Sequence, residues 1–213
     1  MPKPPSGTLL SFDGVDGAGK GCQIELFCQW LAESGHDVVA CRDPGSTELG
    51  EAIRDILLDS TAIPIHRRSE MLLYMAARAQ MVEQVIRPAL AAGKTVVSDR
   101  FLLANVVYQG HAGGLDVDTL WQVGGVATDG IEPTLTFLLD IDPGVAIERI
   151  QRAHDRMEQQ GLEFARAVRA GYLAEAARRP DRIVVVDAAR AIAPIQADIR
   201  AAAARLLDIE PNG

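Results

Sequence analysis

The stretch Leu9-Leu10-Ser11-Phe12-Asp13-Gly14-Val15-Asp16-Gly17-Ala18-Gly19-Lys20-Gly21-Cys22-Gln23 limits what the chain can fold into more than any other. An apolar run passes directly into a glycine-dense turn, and a lysine then opens an amphipathic segment. Gly14, Gly19 and Lys20 have the spacing of G-x-x-x-x-G-K-[ST], in which successive backbone N–H groups cradle phosphate oxygens and the lysine neutralises the outer phosphates. The cradle would run over Gly14, Val15, Asp16, Gly17, Ala18, Gly19, Lys20, Gly21 and Cys22. A helix starting at Lys20 would add the partial positive charge of its N-terminus. One letter departs from the motif: where a hydroxyl would hold Mg²⁺ the chain has Gly21, followed by Cys22.

The apolar run at 8–12 lacks polar alternation, as expected of a central parallel strand covered on both faces. Comparable short runs recur at 37–41, 95–98, 134–139 and 182–186, with helical periodicities between them. Ile24, Phe27 and Leu31 mark a helix over 20–34, ended by Gly35. Further helices are expected over 49–58, 67–92 and 116–128, from 143 through the arginines 149 and 152, then, after a polar interruption at 154–161, on to about 178, and over 193–207. In the long one, Met71, Leu72, Met75, Ala79, Val82 and Ile86 form a continuous apolar face, and Pro88 is placed to kink the last turn. Strands alternating with helices imply right-handed crossovers and a five-stranded parallel sheet. The expected fold class is α/β, with three layers (α/β/α) in a single domain over 1–213 whose core spans about 8–207. Ligands of such folds lie beyond the carboxyl ends of the strands, so the loops 13–20, 42–47 and 99–110 should meet at one site.

Composition narrows the partners. A chain of 213 residues, 48% hydrophobic and 23% charged, suits one soluble globular core. Its net charge of −8 argues against a nucleic-acid or anionic-membrane binder, so an anionic substrate must meet a local basic island. Cys22, Cys28 and Cys41 are odd in number and lack metal-ligand spacing, as reduced cytosolic thiols would. No segment approaches the roughly 20 apolar residues that span a bilayer, and the first six residues carry no apolar leader. A cytoplasmic protein is expected.

Asp99-Arg100 follows the third strand, where the carboxylate suits a metal-bound water and the guanidinium a bidentate phosphate contact; a surface ion pair is the alternative. Asp142 reads as an N-cap before Pro143 rather than as a metal ligand beside Asp140. Arg149, Arg152 and Arg156, at i, i+3 and i+7, would share a helical face, either a solvated stripe or the basic side of a lid over a transferring phosphoryl group. Tyr74 and Arg78 put a stacking ring and a fork of donors on one side of the long helix, although a tyrosine in a Met- and Leu-rich stripe equally suits a core. Tyr108 and Gln109 offer a second ring and an amide for a base edge.

With these segments in place the chain resembles a thymidylate kinase of the bacterial type over nearly its whole length, about 8–207. The motifs that carry the resemblance are Phe12-Asp13-Gly14-Val15-Asp16-Gly17-Ala18-Gly19-Lys20, Arg42-Asp43-Pro44-Gly45-Ser46-Thr47 with Gly50-Glu51-Ala52-Ile53-Arg54, and Ala76-Ala77-Arg78-Ala79-Gln80. Asp99-Arg100-Phe101 leading to Tyr108-Gln109-Gly110, and Asp155-Arg156-Met157-Glu158 running into Gly161-Leu162-Glu163-Phe164, complete the set. The resemblance implies a P-loop NTPase fold with a short helical lid at about 149–162, and ATP-dependent phosphorylation of dTMP to dTDP. By that resemblance Lys20 and the loop amides hold the ATP phosphates, Asp16 faces the 3′-hydroxyl of dTMP, and Arg100, helped by Arg54, grips its phosphate. Tyr74 would stack on thymine, Arg78 bond its edge, Asn105 and Gln109 lie near the base, and Tyr108 crowd the sugar's 2′ position. Asp99 would sit near Mg²⁺ through water, and Arg149, Arg152 and Arg156 would supply transition-state charge. A homodimer is implied. The chain departs from the family pattern in Gly21-Cys22 for a hydroxyl, in Asp43 for a longer acid, and in Ala104 for a serine. The rival expectations are a kinase with another acceptor such as dUMP, and a catalytically weakened nucleotide-binding regulatory protein.

Overall fold

The computed structural model describes residues 7–58, 64–149, 160–207 and 209. Thr8–Asp13 (β1), Val38–Arg42 (β2), Thr95–Asp99 (β3), Leu135–Asp140 (β4) and Ile183–Asp187 (β5) form one sheet in the order β2-β3-β1-β4-β5, all pairs parallel. Around it lie Lys20–Glu33 (α1), Glu48–Leu58 (α2), Arg67–Met81 (α3), Arg87–Ala91 (α4), Leu102–Asn105 (α5), Val117–Thr128 (α6), Pro143–Glu148 (α7), Gly161–Arg178 (α8) and Ile192–Leu207 (α9). The α/β expectation therefore holds, with strand boundaries moved by a residue.

The central strands β1, β3 and β4 are buried on both faces, which is why they read as unbroken apolar runs, while the edge strands β2 and β5 are partly exposed. Leu10 and Phe12 join Phe27, Leu31, Phe137 and Ile199 on one face, while Leu9 and Val96 join Met75, Met81 and Ile86 on the other. Phe12, Phe27 and Phe137 interlock with ring centroids 5.4, 5.0 and 5.7 Å apart. Register sets the site. Phe12 and Arg42 both stand opposite Asp99, so β1, β2 and β3 finish level. Pairing then continues past the strands: the Arg100 N–H donates to the Phe12 carbonyl at 2.9 Å and the Asp43 N–H to the Asp99 carbonyl at 3.0 Å. The three loops thus emerge side by side.

The helix expected over 67–92 runs unbroken to Ala91, but it is not α-helical throughout. Between α3 and α4 lies a π-helical turn, Val82–Ile86, in which the Arg87 N–H reaches the Val82 carbonyl five residues back. Pro88 lacks an N–H and its ring would crowd the carbonyl four residues earlier, so a wider turn just ahead of it relieves the helix. Leu72 also departs from its expected place and is 50% exposed, while Met71 is buried. Consecutive residues of a helix point about 100° apart, so only one of the two faces the core. The helix expected to run from 143 through the arginines stops at Glu148, with Arg149 as its cap; Arg152 and Arg156 lie outside the described residues. Asp142 caps it as expected, its Oδ1 accepting from the N–H of Gly144 at 2.8 Å and of Val145 at 3.4 Å. No described helix is long and apolar enough to cross a membrane.

The ring cluster predicts a large, local cost: Phe137→Ala should destabilise the fold by about 3–5 kcal/mol. Urea denaturation should show the midpoint falling with the slope unchanged. A loss below about 1 kcal/mol would mean that the three rings do not organise this face.

Candidate active site

The glycine loop takes its shape from close backbone packing. Gly14 (φ 138°) and Gly17 (φ 82°) hold conformations that side chains avoid. A Cβ at Gly17 would lie 2.1 Å from the Ala146 carbonyl oxygen of α7, and one at Gly14 would lie 2.5 Å from that of Leu139 in β4. Gly19 gives α1 no side-chain cap, which leaves the N–H groups of its first turn for an anion. Lys20 folds back over the loop, its buried Nζ donating to the carbonyls of Gly14 at 3.1 Å and Val15 at 3.0 Å, 3.8 Å from Asp16 Oδ1. Burial pushes its pKa down, and the neighbouring Arg100 adds to the effect. At Gly21 a Cβ would meet nothing within 4 Å, and Cys22 is exposed.

Arg100 stands at the centre. Its backbone is left-handed (φ 68°), a costly conformation for a side-chain-bearing residue, and its carbonyl accepts from Ser98 Oγ at 2.6 Å. Nη1 donates to the Gly14 carbonyl and to Tyr172 Oη, both at 3.0 Å; Nη2 donates to Asp16 Oδ1 at 2.5 Å and to Tyr108 Oη at 3.4 Å. The Tyr172 hydroxyl in turn donates to Asp13 Oδ1 at 3.2 Å. Asp13 and Asp16, three residues apart, behave oppositely. Burial pushes the Asp13 carboxyl up to about 7, against the pull of Arg100 and Lys20. Burial would raise Asp16 too, but the direct cations Arg100 and Lys20 outweigh it and hold that carboxyl at about 2. Tyr172 was not among the expected site residues. No spacing or motif in the sequence marks it out from the apolar residues of α8.

A cavity opens beside Arg100, lined by Asp43, Arg54, Tyr74, Arg78, Asn105, Tyr108 and Gln109 among others. Asn105 ends α5, and Tyr108 and Gln109 lie in the π-helical turn Val106–His111 that continues it, so one short helical stretch supplies all three to the cavity. Arg78 is built into the cavity wall: Nε donates to Asp43 Oδ2 at 2.6 Å, and Nη1 to Asn105 Oδ1 and Met75 Sδ, both at 3.2 Å. Asn105 Nδ2 donates to Gln109 Oε1, and Gln109 Nε2 to the buried Glu70 Oε1 at 2.8 Å, so both amides are oriented by groups that only donate or only accept. A second opening, lined by Gly17, Gly19, Lys20, Gly21, Arg42 and Asp99, adjoins the first, and Asp16, Asp43, Arg54 and Arg100 line both. Here the acidic chain acquires its basic island. Of the three arginines expected over the phosphates, Arg149 is turned elsewhere: its Nη1 donates to the Ala188 carbonyl after β5 at 3.2 Å. Arg152 and Arg156 lie outside the described residues.

Asp13 gives a pH test with a definite sign. A carboxyl raised from 3.8 to about 7 binds more protons folded than unfolded between those values, so its contribution to stability is lost as pH rises through them. Asp13→Asn, which keeps an acceptor for Tyr172, should gain stability relative to the parent chain as pH goes from about 5 to about 7.5, read as diverging urea midpoints. A difference constant with pH would show that Asp13 is ionised throughout.

Comparison with known proteins agrees with the geometry. The family model described as thymidylate kinase matches residues 12–199. The thymidylate kinase of Rhodopirellula baltica is 44% identical over 93% of this chain and 80% of its own length. That of Pelotomaculum thermopropionicum is 45% identical over 95% of each chain. The crystal structure of thymidylate kinase from Ehrlichia chaffeensis superposes with a TM-score of 0.76 at 28% identity, covering 93% of this chain and 99% of that one. With its phosphate loop, adjoining cavities and parallel sheet accounted for, the chain belongs to the thymidylate kinase family.

Proposed function

We propose that the two adjoining cavities hold the two nucleotides of one phosphoryl transfer, ATP over the glycine loop and dTMP between Tyr74 and Arg100. The reaction is ATP-dependent phosphorylation of dTMP to dTDP, as in the family to which the chain belongs. The observation that carries the assignment of sites is the shared wall: Asp16, Asp43, Arg54 and Arg100 border both cavities, where a phosphoryl group would pass.

In this reading Lys20 and the first N–H groups of α1 hold the outer phosphates of ATP, and Arg100 with Arg54 holds the dTMP phosphate. An oxygen of that phosphate attacks the γ-phosphorus in line, the bond to the β–γ bridging oxygen breaks, and ADP leaves with the electron pair; no covalent enzyme intermediate forms. The chain's contribution is positioning and charge neutralisation. Asp16, held ionised, accepts from the 3′-hydroxyl and steadies Arg100. Tyr74 stacks on thymine, Arg78 and Asn105 meet its edge with Gln109 behind them, and Tyr108 fills the space of a 2′-hydroxyl. Arg149, Arg152 and Arg156 remain part of the proposal as a basic lid at about 149–162, Arg149 closing it from its seat on Ala188.

The residues present suit Mg²⁺ held largely by phosphates and water. Asp99 Oδ1 is buried with no hydrogen-bond partner among the described residues, and the wall beside Gly21 is open. Among the described residues no three His, Cys, Asp or Glu gather to hold an ion alone. A bound Mg²⁺ supplies charge neutralisation between the phosphates, and Asp99 would hold it through water. We further propose a single domain acting in the cytoplasm as a homodimer; Ile56, Leu72 and Val126 on α2, α3 and α6 are exposed apolar side chains that pairing would cover.

Two measurements check this. ADP release should be fastest with dTMP among the nucleoside monophosphates; absence of turnover with every acceptor at saturating Mg²⁺ would sink the kinase assignment, and a much faster dUMP would overturn the acceptor alone. Gly21→Thr, for which the wall has room, should lower the Mg²⁺ concentration that gives half-maximal rate. An unchanged requirement would show that the missing hydroxyl does not limit metal binding.

A further inference from the structure

Tyr172 is buried in α8, and one atom of it touches the site. Its Oη lies 3.0 Å from Arg100 Nη1 and 3.2 Å from Asp13 Oδ1, so a single hydroxyl stands between a guanidinium and a buried carboxyl. The hydroxyl donates to one and accepts from the other, which a tyrosine does with one atom. The second oxygen of the carboxyl, Asp13 Oδ2, is buried and has no hydrogen-bond partner among the described residues. An arginine beside an open carboxylate in a dry pocket is drawn to it, because a bidentate guanidinium–carboxylate pair satisfies both groups. Arg100 instead reaches past Tyr172 to Asp16 at 2.5 Å and lines the cavity assigned above to dTMP.

We propose that Tyr172 is a positioning residue that acts as a spacer: its hydroxyl keeps Arg100 from collapsing onto Asp13 and so holds the guanidinium in the acceptor cavity. The proposal rests on the reading of that cavity as the dTMP site. Without the hydroxyl, Nη1 loses an acceptor and Asp13 loses its donor, and the simplest repair joins the two directly. The guanidinium is then withdrawn from the acceptor phosphate. Lys20 and the glycine loop, which hold the donor, are not reached by Tyr172 in this way. The defect should therefore fall on one substrate.

Tyr172→Phe removes the oxygen and keeps the ring, so packing against Tyr108 is retained. The expected result is a rise of about tenfold in the KM for dTMP, matched by weaker dTMP binding in calorimetry, with the KM for ATP changed less than about twofold. Adding Asp13→Asn removes the charge that captures Arg100 and should bring the dTMP KM back to within about threefold of the parent chain. A purely structural role would lower thermal stability without this rescue. The proposal is overturned if Tyr172→Phe leaves the dTMP KM unchanged, if both substrates weaken together, or if Asp13→Asn fails to restore binding. If the parent chain neither binds nor phosphorylates dTMP, the reading of the cavity fails first and takes the proposal with it.

Discussion

One guanidinium holds the site together. Arg100 joins the end of β3 to the glycine loop through the Gly14 carbonyl, to α8 through Tyr172, and to Asp16 and Tyr108 at the mouth of the cavity. A largely buried cation is tolerable only when its donors are satisfied, and Arg100 meets that condition by drawing partners from three segments: the glycine loop, the stretch around Tyr108, and α8. The left-handed backbone at position 100 is the local cost of aiming the side chain back across β1. Remove that side chain and the elements that converge on the site lose their common partner.

Much of this was legible in the sequence, and the reasons differ by element. The sheet was legible because its central strands, buried on both faces, read as short unbroken apolar runs, and the glycine loop because its φ values require glycine at Gly14 and Gly17. The Asp142-Pro143 cap was equally plain, since capping is decided within a few residues. What periodicity could not reveal was the π-helical turn before Pro88, where a wider hydrogen-bond register replaces a kink, or that Leu72 yields the core to Met71. Candidate residues came from motif and resemblance, and Tyr74, Arg78, Asn105, Tyr108 and Gln109 do share one cavity. Their partners were hidden. That Asp43 fixes Arg78, that Glu70 orients Gln109 and that Tyr172 stands against Asp13 are long-range facts, with no spacing rule to announce them.

The site also explains how an acidic protein handles anionic substrates. Its cations are not an unopposed patch: Lys20, Arg78 and Arg100 each lie against a carboxylate, which lowers the cost of burying them before a substrate arrives. The pairing is graded. Asp43 and Arg78 are both buried and locked, a fixed wall; Asp16 is partly open, so its pair with Arg100 can admit a phosphate. Asp13 lies deeper still and meets only a hydroxyl, so its carboxyl is pushed up where Asp16 is held down. Distance to the same arginine separates the two acids.

The claim on which the rest depends is that Arg100 serves the acceptor rather than the donor. Calorimetric titration of dTMP, and separately of a non-hydrolysable ATP analogue, into the parent chain and Arg100→Gln tests it most directly. The predicted result is a loss of at least about tenfold in dTMP affinity with the ATP analogue bound within about twofold of the parent value. Undiminished dTMP binding, or an equal loss for both nucleotides, would contradict it.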